Sequence, residues 1–337
     1  MKIHSESAKI IEKTFFTEKF RRVDFDRIGR IRDTEHNKEC SNYKKAIMDK
    51  IDHKTIKHEN FQVVIDLMHG TTIDVFPKLI NKIGIEHVTL NAYYDEKKLS
   101  NIAMLEKKSQ SNVSKIVRAL NYNMGLIIYP NAQQLVLVAE NGVVLSKVKS
   151  LYAVLELLNL DAMNDKKKVF LPPWAPDIRH FKNLIIERGK YTDFKVEKLK
   201  KYDLIATVDG NFSFTEFSYT RDALYASLKI MELLNTYKID LSILVTSLND
   251  FYYKQFKIEC SQKLKGKMMR KFLQYAKEKK SSTDIGVKIW EDEKEWVLMI
   301  PDSYGEHLNL YIQAVDDERG EALHKKYLEK IEQFSQE

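Results

Sequence analysis

Apolar residues recur at helical spacing from Ala8 to Arg22, where Ile10, Ile11, Phe15, Phe16 and Phe20 predict an amphipathic helix that needs a partner surface. A polar connector, Asp33 to Ser41, then leads into a helical pattern over Tyr43 to Ile51. The run Phe61 to Met68 is almost continuously apolar, the signature of a strand buried on both faces. After His69-Gly70, Thr71 and Thr72 are placed to cap a helix from Asp74 to Ile83, and Gly84 to stop it in a left-handed conformation. A strand follows at His87 to Leu90, which makes a strand-helix-strand unit. The polar residues 93–112 precede a helix at Val113 to Leu120 and a hairpin of Gly125 to Ile128 with Gln134 to Val138.

The second half opens with a helix at Leu151 to Leu160 and, after the lysine-rich 164–168, a strand at Val169 to Leu171. Pro172, Pro173 and Pro176 cannot donate to a ladder, so they force a loop around Trp174. A helix from Asp177 to Gly189, a strand from Leu204 to Val208 and a helix from Asp222 to Leu234 continue the pattern. Residues 242–257 read as a bridge. Beyond it come a helix over Gly266 to Lys279, strands at Val287 to Trp290, Trp296 to Ile300 and Leu308 to Ala314, and a last helix from Glu318 to Phe334, which together predict a small α+β domain.

Composition narrows the function classes. With 337 residues and 44% hydrophobic content, the chain can build two or three cores. The charge of +7 comes from 55 basic and 48 acidic residues that are intermixed, and no basic stripe carries interleaved aromatics, so a nucleic-acid partner is not expected. Nor is a membrane, because no long uncharged apolar run occurs and the start lacks a secretion-type apolar core; a cytoplasmic, soluble protein is expected. Cys40 and Cys260 are too few and too far apart for a disulfide framework or a zinc knot, and the nine histidines form no metal motif. There is no glycine-rich phosphate loop of the nucleotide-binding kinds. His69 to Thr72, at a strand end, reads as a tight turn rather than an anion site.

Gly125 to Gly142 resembles, without a gap, the strand-loop-strand of the phosphohexomutase superfamily, which includes phosphomannomutases and phosphoglucomutases. In that family the loop reads Asp-Gly-Asp-x-Asp-Arg and its aspartates hold magnesium. Here Tyr129, Asn131 and Gln133 stand at the aspartate positions and Gln134 at the arginine position, within an intact apolar frame. The likeness reaches from about Ile28 to the C-terminus, over the second to fourth domains of that family. The segments Lys9 to Arg22 and Asp209 to Leu224 are similar to mutase-like modules fused behind sugar-phosphate nucleotidyltransferases such as mannose-1-phosphate guanylyltransferase.

What the resemblance implies differs from station to station. No serine sits in a phosphoserine-type loop; Ser5 and Ser7 lie in another context. Magnesium prefers anionic oxygen ligands, so the phenol and amides at 129, 131 and 133 imply that the metal is lost. In the sugar-reading region, around Asp209 to Phe212, the family's glutamate and histidine have no clear counterpart; Glu216 is the nearest candidate, with Trp174 as a stacking platform, although both also suit structural roles. At the phosphate loop, Ile300 replaces the arginine and Asp302 adds a negative charge, leaving Ser303 and Tyr304 as candidate phosphate contacts.

The expected architecture is therefore α/β: two mixed-sheet phosphohexomutase-type domains followed by a small C-terminal α+β domain. The boundaries expected are 1–42 for a first-domain remnant and connector, 43–163 for the degenerate metal-loop domain, 164–258 for the degenerate sugar-loop domain and 259–337 for the phosphate-loop domain. The resemblance implies a catalytically silent mutase-like module, regulatory or binding, linked to nucleotide-sugar metabolism. Its candidate partners are a sugar-phosphate nucleotidyltransferase and a sugar phosphate or nucleotide sugar, and no catalytic residue is assigned. The alternatives are an active sugar-phosphate mutase that uses unrecognised or partner-supplied residues, and a sensor that binds a sugar nucleotide without reacting.

Overall fold

The computed structural model describes residues 5–30, 33–58, 60–177, 181–189, 196–246, 251–302 and 305–336. The chain forms two compact units. One comprises Met1–Phe170, Asn183–Glu187 and Tyr191–Val245; the other comprises Leu171–Lys182, Arg188–Lys190 and Thr246–Glu337.

The first unit begins with α1 (Ser5–Phe16), α2 (Asp33–Met48) and α3 (His53–His58), followed by β1 (Gln62–Asp66), α4 (Phe76–Ile83) and β2 (Glu86–Leu90). Then come α5 (Glu96–Leu99), α6 (Ile102–Leu120), β3 (Met124–Ile128), β4 (Leu135–Ala139) and α7 (Lys147–Asp161). The strands form a sheet in the order β2-β1-β3-β4, with β1 parallel to β2 and β3, and β4 antiparallel to β3. Every residue of β3 and β4 is buried, as their unbroken apolar runs require. Gly125 is needed here because a Cβ would lie 2.3 Å from a methyl of Val113 on α6.

A second sheet, which lies in this unit except for the strand ends Leu171 and Arg188, holds β5 (Lys167–Leu171), β6 (Leu184–Arg188), β7 (Leu204–Thr207) and β8 (Asn211–Phe214) in the order β6-β5-β7-β8. The short α8 (Val196–Leu199) lies between β6 and β7, and α9 (Ala223–Tyr237) with α10 (Leu241–Thr246) closes the unit. Asp222 caps α9 by accepting the Tyr225 N–H, and α9 packs on α3 and α7.

The other unit holds β9 (Tyr252–Glu259), α11 (Gln262–Ala276), β10 (Ser281–Ser282), β11 (Val287–Trp290), β12 (Trp296–Pro301), β13 (His307–Ala314) and α12 (Asp317–Gln336). Its antiparallel sheet runs β10-β11-β12-β13-β9. Alternation divides the strands cleanly: Val287, Ile289, Val297, Met299, Leu310 and Ile312 join the core shared with α11 and α12. Trp296, Leu298 and Tyr311 form a second cluster, against which Trp174, Trp290 and Tyr253 pack.

The mixed α/β architecture with a C-terminal α+β portion is the expected one. Several elements differ from their sequence reading. Residues 33–41 are helical, not a connector. Helix α6 starts at Ile102, inside the stretch read as polar, because Leu105, Ser109, Val113 and Val117 make one buried stripe and Asn101 caps the start. No threonine caps α4: its N-cap is Val75, without a side-chain hydrogen bond, whereas Gly84 does end it at φ 83°. Residues 184–188 form β6 instead of a helix, Lys167 N–H and Gly189 N–H bonding the carbonyls of Asn183 and Leu171. The bridge at 242–257 contains β9, an edge strand paired along its whole length with β13, so the last sheet has five strands where three were expected.

Candidate functional site

In the first unit the ends of several strands bring their loops together. After β1 the backbone takes two successive left-handed residues, Met68 at φ 47° and His69 at φ 56°, and Asn91 after β2 does the same at φ 51°. Such geometry at non-glycine residues costs free energy and has to be held by its surroundings. The fully buried Asp66 holds it: its carboxylate accepts Met68 N–H at 2.8 Å and the Asn91 amide at 2.8 and 3.0 Å. His69 is also fully buried, with Nδ1 2.9 Å from the Tyr93 carbonyl and its ring edge-on to Tyr93.

The 129–134 loop docks on this turn. Pro130 lies so close to Gly70 that a Cβ there would be 2.3 Å from the proline Cα. Thr71, expected as a cap, instead donates both its N–H and its hydroxyl to the Pro130 carbonyl at 3.0 Å. On its other side the loop is tied to the β7–β8 turn. Gln134 forms an antiparallel bridge with Asn211, Leu135 N–H bonds the Gly210 carbonyl at 2.9 Å, and Ala223 N–H bonds the Ala132 carbonyl at 2.9 Å. The positions resembling a metal loop and a sugar loop therefore share one hydrogen-bonded assembly.

At the three positions that resemble the metal loop the chemistry is neutral. Asn131 is exposed and spends its side-chain oxygen on Gln133 N–H at 3.1 Å, closing an Asx turn; Ala132 takes φ 59° between them. Gln133 is exposed and Gln134 reaches the Asp209 carbonyl at 3.4 Å. Tyr129 is buried, and burial together with the neighbouring Glu106 carboxylate drives its hydroxyl far above the usual tyrosine range, so it stays protonated. Lys147 stands over the Tyr129 ring at 5.3 Å and 3.8 Å from Glu106. An ammonium group thus already occupies the neighbourhood, and no group of three or more His, Cys, Asp or Glu among the described residues could hold a metal ion. A hard dication that needs carboxylate oxygens does not suit this set.

The other candidates are placed as follows. Glu216 accepts the Tyr225 hydroxyl at 2.6 Å and faces Lys229 at 3.5 Å, while Phe217 stacks on Tyr225. Asp222 accepts the Tyr43 hydroxyl, which lies 2.8 Å from both carboxylate oxygens, besides capping α9, and burial raises its pKa. Trp174 lies in the other unit, stacked on Tyr311 with its carbonyl accepting the Tyr253 hydroxyl. Ser303 and Tyr304 lie outside the described residues. Beside them, Asp302 accepts Gly305 N–H at 2.6 Å and faces His307 at 3.2 Å, and the buried Lys265 donates to the carbonyls of Asp302 and Gly305. Asp66, Lys147 and Lys265 carried no motif in the sequence; a lone charged residue inside an apolar run, as in Val64-Ile65-Asp66-Leu67, was the only available signal.

Comparison with known proteins finds a family likeness within the first unit. Residues 41–142 match the profile of phosphoglucomutase/phosphomannomutase, alpha/beta/alpha domain II, a span that contains the docked loop. Over these residues the likeness read from the sequence is to the phosphoglucomutase/phosphomannomutase family. It is similar over 94% of its length to a phosphoglucosamine mutase of Methanococcus maripaludis, at 23% identity and covering 72% of that protein. A phosphoglucomutase/phosphomannomutase of Thermococcus kodakarensis is 25% identical over 98% of the chain and 72% of its own length. Among solved structures, a phosphoglucomutase/phosphomannomutase family protein from Burkholderia thailandensis superposes over 99% of the chain and 71% of that protein with a TM-score of 0.75 at 14% identity, which speaks for the fold. No helix among the described residues is long and apolar enough to cross a membrane.

Proposed function

We propose that the chain works on phosphohexoses through the loop assembly of its first unit, and that residues 129–134 hold no magnesium ion. The observation that carries the second half is the commitment of the loop: Asn131 closes its own turn, Tyr129 stays protonated beside Glu106, and Lys147 already supplies a positive charge. On this reading the protein binds a sugar phosphate or nucleotide sugar without turning it over. It serves as a regulatory module, with a sugar-phosphate nucleotidyltransferase as the partner chemistry suggested by its likeness to fused modules. The apolar side of α1, where Ile10, Phe15 and Phe16 are 66%, 65% and 79% exposed, is the surface offered to such a partner.

The names of the relatives favour a second reading of the same site. They are called mutases, and catalytic silence finds no support among them. A working sugar-phosphate mutase would draw its metal and phosphate ligands from residues other than 129, 131 and 133, or from another chain. A coupled assay on glucose 1-phosphate, mannose 1-phosphate and glucosamine 1-phosphate, with and without magnesium, separates the two. Magnesium-dependent turnover of any of these sugars selects the mutase. A ligand-induced rise in melting temperature without turnover selects the binding module, since ligand at a hundredfold its Kd stabilises the native state by about 2.7 kcal/mol. Neither response to any of the sugars would remove both readings.

A further inference from the structure

The face of the second unit's sheet turned away from α11 and α12 carries an ammonium and an indole N–H that find no acceptor among the described residues. Lys288, on β11, projects onto this face and stands 3.9 Å from the centre of the Trp296 ring and 5.1 Å from that of Trp290. Among the described residues its ammonium has no hydrogen-bond or ion-pair partner. The indole N–H of Trp296, a residue only 1% exposed, is buried and also finds no acceptor. Arg188 lies close enough for its charge to act on Lys288. It is held in place by the Ala175 carbonyl at 2.8 Å and by Asp177 at 3.4 Å, and Asp177 is 69% exposed.

A buried donor without a partner carries the full cost of its lost hydration. Two cations and an indole N–H gathered against one exposed carboxylate leave a local excess of positive charge and of donors. Burial and Arg188 consequently push the Lys288 pKa down to about 8. The walls are aromatic, and Trp174, Trp290 and Lys288 are each partly exposed, so the cluster opens to solvent along that edge.

We propose that this face is an anion site for a phosphomonoester, with Lys288 and Arg188 facing the phosphate and the tryptophans beside the group that carries it. None of its residues belongs to the loop assembly of the first unit, so the proposal stands apart from the reading given there. The chain contains three tryptophans, and all three, Trp174, Trp290 and Trp296, lie in this cluster. Intrinsic tryptophan fluorescence is therefore a local reporter.

Titration of the full chain with inorganic phosphate and with glucose 1-phosphate, at ionic strength matched by chloride, should give a saturable change that chloride and glucose do not reproduce. Lys288→Met should weaken the response at least tenfold, and Lys288→Arg should keep it. A flat titration, a response equal to that of chloride, or a Lys288→Met protein that binds as well as wild type would overturn the proposal. Should Lys288→Met fail to fold, the comparison of phosphate with chloride on the wild type decides alone.

Discussion

Replacing Glu291 by glutamine tests the electrostatics of the second unit most directly. Glu291 directly follows β11, its side chain is 10% exposed, and three donors surround it: Lys279 and the Tyr327 hydroxyl on one oxygen and Lys326 on the other, each at 2.7 Å. Burial alone would raise its pKa, but the three hydrogen bonds overcome that and bring it down from 4.5 to about 2. At about 1.4 kcal/mol per pH unit, the ionised form stabilises the fold by about 3 kcal/mol. The group's folded pKa lies below its unfolded one, so this stabilisation is complete above pH 4.5 and disappears as the pH falls through about 2. Glu291→Gln should therefore cost about 3 kcal/mol at pH 7 and only about 1.5 kcal/mol at pH 3. Urea melts of wild type and variant, followed by tryptophan fluorescence at both pH values, give the comparison. A cost independent of pH would refute the reasoning, because it would mean that packing, and not the charge, is what the carboxylate contributes.

Gly210→Ala should destabilise the first unit by roughly 1–3 kcal/mol, since Gly210 sits at φ 77° and an added Cβ would lie 2.4 Å from the Leu135 carbonyl; thermal melts check it. Tyr43→Phe removes the hydroxyl donor shared by the two oxygens of the half-buried Asp222 and should cost about 1–3 kcal/mol, seen as a lower denaturant midpoint with an unchanged slope. Restoring carboxylates with Tyr129→Asp, Asn131→Asp and Gln133→Asp together should create a magnesium-dependent rise in melting temperature that the wild type lacks, and removing Lys147 as well should enlarge it. An equal magnesium response in the wild type would contradict the reading of the loop.

Much of the fold was legible because its signals are local. The buried runs of β1, β3 and β4, the glycine that ends α4 and the alternation in β11 to β13 each state their structure within a few residues. The errors fall where distant contacts outweigh local pattern. Residues 184–188 could pass for helix until pairing with β5 made them a strand, and β9 exists because β13 offers it an edge. In α6 the buried positions are spaced among lysines and serines, so the stripe is visible only once the sheet beneath it is known.

The same division holds for the site. The residue types at 129, 131 and 133, and hence the absence of carboxylates there, are properties of the sequence alone. That Lys147 and Glu106 flank Tyr129, that the loop is tied to Gly210 and Asn211, and that Lys288 stands over Trp290 and Trp296 within reach of the Arg188 charge are decided by tertiary structure. Coulombic and hydrogen-bonding partners are chosen by distance in space, and positions 188 and 288 are a hundred residues apart in the chain.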